Sequence, residues 1–142
     1  MRLRFDIDQF TRSASGRLVG PIWLQVGQAT FPEVGWSDFV GIVIEQWSAE
    51  LAAIRFTDDV ARLKVFDGSS EARIVRKGDR IHCELPDTNI AVVLSVLDEF
   101  WDSAAIAIDT ATVRAETLGA LEDASKLRSA AGVFRGGGWT LA

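Results

Sequence analysis

This 142-residue chain has one cysteine, one histidine, three prolines and no tyrosine, and each scarcity removes a class of protein. A lone Cys83 permits no internal disulfide, so the fold must stand on its core and nothing points to an oxidising compartment. A lone His82 excludes a multi-histidine metal site and leaves a serine, histidine and acid triad only one place to form. The prolines are scattered, no repeat is visible, and no apolar run approaches the roughly 20 residues that span a bilayer. Charges stand at Arg2, Arg4 and Asp6, where the apolar region of a signal peptide would begin, so the expectation is a cytoplasmic protein. Bases are also short: 15 against 20 acids, for a net charge of −5. That balance opposes polyphosphate and anionic lipid, so neither nucleic acid nor membrane is expected as a partner.

What is present suits one globular domain. Hydrophobic residues make up 48% and charged residues 25%, and a chain of this size buries roughly two-thirds of the surface it exposes unfolded. Leu3, Phe5 and Ile7 alternate with Arg2, Arg4, Asp6 and Asp8, the period of a half-buried strand. Ile22, Leu24 and Val26 repeat the pattern, Gly27-Gln28 can turn the chain, and residues 29–31 return before Pro32 ends the pairing. Phe39, Val40, Val43, Ile44, Trp47, Leu51 and Ile54 then fall at spacings of three and four. They predict an amphipathic helix with Ser37 as N-cap and Asp38 at the positive end of its dipole.

From residue 60 the period returns to two, in short runs separated by Asp67-Gly68, Lys77-Gly78-Asp79 and Pro86-Asp87. Four strands near 60–66, 71–76, 80–85 and 90–94 follow as a meander. The last is apolar on both faces, which predicts an interior place in the sheet. Ser95 and Asp98 resemble a capping box opening a long helix near Val96, with Leu97, Phe100, Trp101, Ala104, Ala105, Ile108 and Ala111 as its apolar stripe. Residues 118–131 read as a last helix with Leu121, Ala124 and Leu127 inward and Gly132 as its stop. Strands grouped apart from helices indicate α+β: an antiparallel sheet, made of the N-terminal strands and the meander, with helices on one face. The domain is expected over 1–135, with 136–142 as a loose tail.

Candidate chemistry is sparse. Strand parity puts His82 and Glu84 on one face and Ile81, Cys83 and Leu85 on the other. A carboxylate beside an imidazole can tune a proton donor, although such a pair on an exposed strand is ordinarily solvated surface. Cys83, directed inward, behaves as a small apolar group. Asp6 with Asp8, and Asp58 with Asp59, lack the loop spacing that calcium needs, and Gly136-Gly137-Gly138 lacks the strand, helix and lysine of a phosphate cradle. No catalytic residue, metal or cofactor is assigned. Trp47 and Trp101 lie on apolar stripes, whereas Trp23 points away from Ile22 and Leu24 and is the better candidate for an outside contact.

The helical segments are acidic: Asp38, Glu45 and Glu50 on the first, and Asp98, Glu99, Asp102 and Asp109 on the second, could form a surface that steers a basic protein. A solvated helix face is the plainer account. The stretch from Phe31-Pro32 to Trp36-Ser37-Asp38-Phe39 resembles a pattern in small uncharacterised bacterial proteins, and in size, charge and lack of a catalytic set the chain is similar in type to immunity proteins, which block a toxin by binding it. The same residues also suit a strand end and a helix start. The leading expectation is a non-enzymatic immunity or adaptor protein that binds a protein partner through Trp23, Asp38, Glu45, Asp98 and Asp102, or through an exposed sheet face. Two alternatives stand beside it: a small-ligand binder or enzyme with an apolar pocket at Trp23 and Phe31 and with His82 and Glu84 as polar groups, and a homodimer paired along residues 2–8.

Overall fold

The computed structural model describes residues 1–136. Alternation in the first forty residues becomes a sheet around one long strand. Strands β1 (Arg2–Phe5) and β2 (Thr11–Arg12) flank β3 (Leu18–Val26) on one side, and β4 (Ala29–Phe31) and β5 (Ser37–Phe39) on the other, all antiparallel. Gly27, at φ 59, makes the tight β3–β4 turn that the sequence predicts. Between β1 and β2 the pairing lapses opposite Gly20 and Pro21. Proline has no N–H to offer there, and Phe10 lies against Gly20, where a Cβ would come within 2.3 Å of its ring.

The second strand group is a four-stranded antiparallel meander of its own, β6 (Val60–Lys64), β7 (Glu71–Lys77), β8 (Arg80–Glu84) and β9 (Asn89–Val93). The class is therefore α+β, with two sheets where one was expected. The separation follows from helix α1 (Val40–Ala53), which leaves β5 directly and packs against both β3 and β6, so the meander starts a new layer. Helix α2 (Leu94–Thr117) lies against β1, and α3 (Leu121–Phe134) packs on both α1 and α2. Aromatic rings fill the centre: Phe31 meets Trp47 at 5.9 Å, and Phe100, Trp101 and Phe134 lie 5.5–5.7 Å from one another. The apolar stripes of α1 and α2 are buried as expected.

Four local expectations are corrected. Ser37 does not cap α1, because residues 37–39 pair with β3 as a strand and the helix begins at Val40. Strand β9 is an edge strand rather than an interior one, since the chain turns from Val93 straight into α2 and no further strand among the described residues pairs with it. That early start also places Ser95 inside the first turn of α2, with no side-chain cap. Helix α3 runs through Gly132 and gives way near Gly136, at φ 81, while Leu121 stays exposed. Residues 137–142, most of the expected tail, lie outside the described residues.

Neither α1 nor α3 carries a basic residue in its last turn, so tertiary contacts complete both helix ends. Arg76 on β7 donates to the Ile54 carbonyl at 3.0 Å and to that of Arg55, and Arg55 in turn donates to the carbonyls of Val133 and Phe134. The Arg55 guanidinium also lies over the Trp101 ring at 4.8 Å. At the other end of α3, buried Asp123 accepts from Arg17 Nη2 at 2.9 Å and from the Leu18 amide at 2.7 Å. Gly41 makes this approach feasible: a Cβ there would sit 2.2 Å from Asp123 Oδ1.

Candidate functional site

The second sheet has one covered face and one open face. Ala61, Leu63, Ala72, Ile74, Ile81 and Cys83 point toward the helices and are fully buried. The register sets the other residues in cross-strand rows: Val60, Val75, His82 and Ala91 form the middle row, with Arg62, Arg73, Glu84 and Asn89 on one side and Lys77, Arg80 and Val93 on the other. Lys64 and Glu71 make a further pair. His82 and Glu84 thus share the open face, and Ile81, Cys83 and Leu85 turn inward, as strand parity predicts. Burial pushes the Cys83 thiol up to about 11, which keeps it protonated and inert at neutral pH.

A concavity of 370 Å³ opens on this face, lined by Val75, Lys77, His82, Glu84, Asn89, Ile90 and Ala91. Around it stand five bases, Arg62, Lys64, Arg73, Lys77 and Arg80, against two acids, Glu71 and Glu84. The acids are partly engaged, Glu84 with Arg73 at 3.0 Å and Glu71 with Arg62 at 3.6 Å. Exposed pairs of this kind have little energetic worth, so the face keeps its positive character. Individual bases in the meander are plain in the sequence, and parity would have put these five on one side. The missing step was to carry that parity across the three strands; Arg76 is the exception, turned inward to the end of α1.

The residues expected to dock a partner do not share a surface. Asp38 is buried, and its carboxylate accepts from Trp36 Nε1 at 2.9 Å, the Phe39 amide at 2.8 Å and the Phe66 amide at 3.2 Å. It ties β5 to the turn after β6, and Phe39 meets Phe66 edge-on at 4.7 Å beside it. The Trp36-x-Asp38-Phe39 stretch therefore has a structural task. Glu45 pairs with Lys126 of α3 at 3.3 Å, and Glu50 accepts the Arg62 amide at 2.8 Å. Asp98 and Asp102 are exposed on α2, and α3 packs against both of the helices that carry these acids.

The alternative pocket is not assembled either. Trp23 is half-buried on the outer face of the first sheet, in a concavity of 440 Å³ shared with Arg4, Gln25 and Thr30. Phe31 is buried on the opposite side against Trp47, and His82 and Glu84 belong to the other sheet. Among the described residues no group of three or more His, Cys, Asp or Glu is placed to hold a metal ion, and no helix is long and apolar enough to cross a membrane. No protein-family model, curated protein or solved structure matches the chain.

Proposed function

We propose that this chain is a non-enzymatic protein-binding protein, of the immunity or adaptor kind, which docks an acidic protein surface on the open face of its second sheet. One observation carries the reading: a chain of net charge −5 collects five bases and two acids on the open face of its second sheet. Such a face is complementary to carboxylates, and the shallow apolar row of Val60, Val75 and Ala91 gives the desolvated centre that a protein interface needs. On this reading the partner is acidic, where the acids of the helices had suggested a basic one. His82 stands in that row beside Lys77, Glu84 and Asn89, and its role in this reading is recognition.

The test is affinity capture from native lysate, run in parallel with wild type, with the triple variant R73E/K77E/R80E, and with D98K/D102K. An acidic protein retained by wild type and by the α2 variant, and lost from the triple variant, is the expected result. Retention by the triple variant with loss from D98K/D102K would restore the acidic helical surface, and recovery of a small molecule in place of a protein would end the reading.

A further inference from the structure

The two edges of the second sheet are finished in opposite ways. At β6 the outward backbone groups of Arg62 and Lys64 are all engaged by side chains of α1: Gln46 Nε2 and Trp47 Nε1 donate to their carbonyls at 2.9 Å, and Glu50 and Gln46 accept their amides at 2.8 and 3.2 Å. That edge is closed. At β9 no side-chain or loop hydrogen bond from any described residue reaches residues 89–92. Natural edge strands are usually protected by charge, proline, a bulge or a covering element. Asn89-Ile90-Ala91-Val92-Val93 has no charge and no proline, and its register with β8 is regular.

The helical cover also runs out here. Ile90 and Val92, on the helix side, are only half-buried where their neighbours Ile81 and Cys83 are fully buried, and Val93 on the open side is 51% exposed. An uncharged, largely apolar strand left at the rim of a sheet is a template for pairing with another strand.

We infer that β9 pairs antiparallel with β9 of a second copy of this chain, about a two-fold axis through Ala91, to form one continuous eight-stranded sheet. This centre pairs all five residues of each strand, sets Ile90 beside the partner's Val92 on the covered side, and brings no charge into the seam. The nearest charges on either side are complementary: the row that holds Arg80 and Val93 continues through the partner's Asn89 to the partner's Glu84. The His82 row continues through two alanines, which keeps the two imidazoles about 14 Å apart at a strand spacing of roughly 4.8 Å. An axis perpendicular to the sheet keeps both basic faces on the same side, so the dimer presents one platform of twice the width. The inference stands independently of what docks on that face.

Sedimentation velocity across a concentration series, on the full chain, tests it. Wild type is expected to sediment as a dimer. A91K, which sets two ammonium groups face to face at a solvent-facing position, is expected to associate at least tenfold more weakly with an unchanged far-UV spectrum. As a second reading, A91C treated with a short bis-maleimide should give a covalent dimer while S69C, at a distant exposed turn, should not; buried Cys83 stays silent in both. A wild type that stays monomeric, an A91K that associates like wild type, or equal cross-linking of A91C and S69C overturns the proposal. So does a monomer whose β9 accepts only a peptide strand from another protein. R62E/K64E, which lowers the charge of the open face on β6 at the edge farthest from β9, should leave the dimer intact, which separates this inference from the proposed partner.

Discussion

The two sheets are built from similar alternating strands and use their polar side chains for different ends. In the first sheet and the helices around it, polar groups are drawn inward: Asp38 gathers three donors, Asp123 binds Arg17 and the Leu18 amide, and Gly20 and Gly41 give up side chains to let neighbours close in. In the second sheet the polar groups of the open face stay at the surface, five bases against two acids. A buried, satisfied polar group specifies the fold, whereas an exposed one costs little to change and is free to serve recognition. The proposed docking face thus lies in the region where stability is least at stake.

Substitutions should separate the two regions sharply. The largest loss is expected for Asp123→Ala, which leaves the Arg17 guanidinium, at 18% exposed, without its buried partner; roughly 3–5 kcal/mol should disappear from the denaturant-unfolding free energy. An alkaline series comes next. The folded Cys83 thiol is raised from 9.0 to about 11, so the unfolded chain releases its proton first and stability falls as pH climbs through that window. The fall should approach about 2–3 kcal/mol by pH 11 and vanish in Cys83→Ala, whose stability curve should be flatter there. Arg55→Ala removes two carbonyl contacts at the end of α3 and the stacking on Trp101, for a loss of about 1–3 kcal/mol with helicity retained by circular dichroism. The smallest effect belongs to the second sheet: Lys77→Ser or Arg80→Ser should move the unfolding midpoint by no more than about 0.5 kcal/mol while weakening capture of the partner. A loss at Lys77 or Arg80 as large as that at Asp123 would erase the distinction between the two sheets.

Much of the architecture was legible from periodicity. The β3–β4 hairpin, all four strands of the meander and the buried stripes of α1 and α2 stand where alternation and three-four spacing place them, because each pattern is local and strong. The inward turn of Cys83 and the outward turn of His82 and Glu84 were legible for the same reason. Helix starts were less so. Ser37 and Ser95 look like caps, but strand pairing holds the first and the direct passage from β9 into α2 overruns the second. Asp38 looks like a surface acid on a helix; a side chain from the turn before it and an amide 28 residues later claim its carboxylate instead.

The sequence alone thus determined the β3–β4 hairpin, the four strands of the meander and the buried stripes of α1 and α2, since backbone period and hydrophobic contrast act within a few residues. Tertiary structure decided that the strands divide into two sheets, that Asp38 and Asp123 are buried while the meander's bases gather on one face, and that β9 ends a sheet with its outer side unpaired. Those outcomes depend on contacts between residues far apart in the chain, where packing and hydrogen-bond satisfaction, rather than local pattern, choose among the arrangements that the same elements allow.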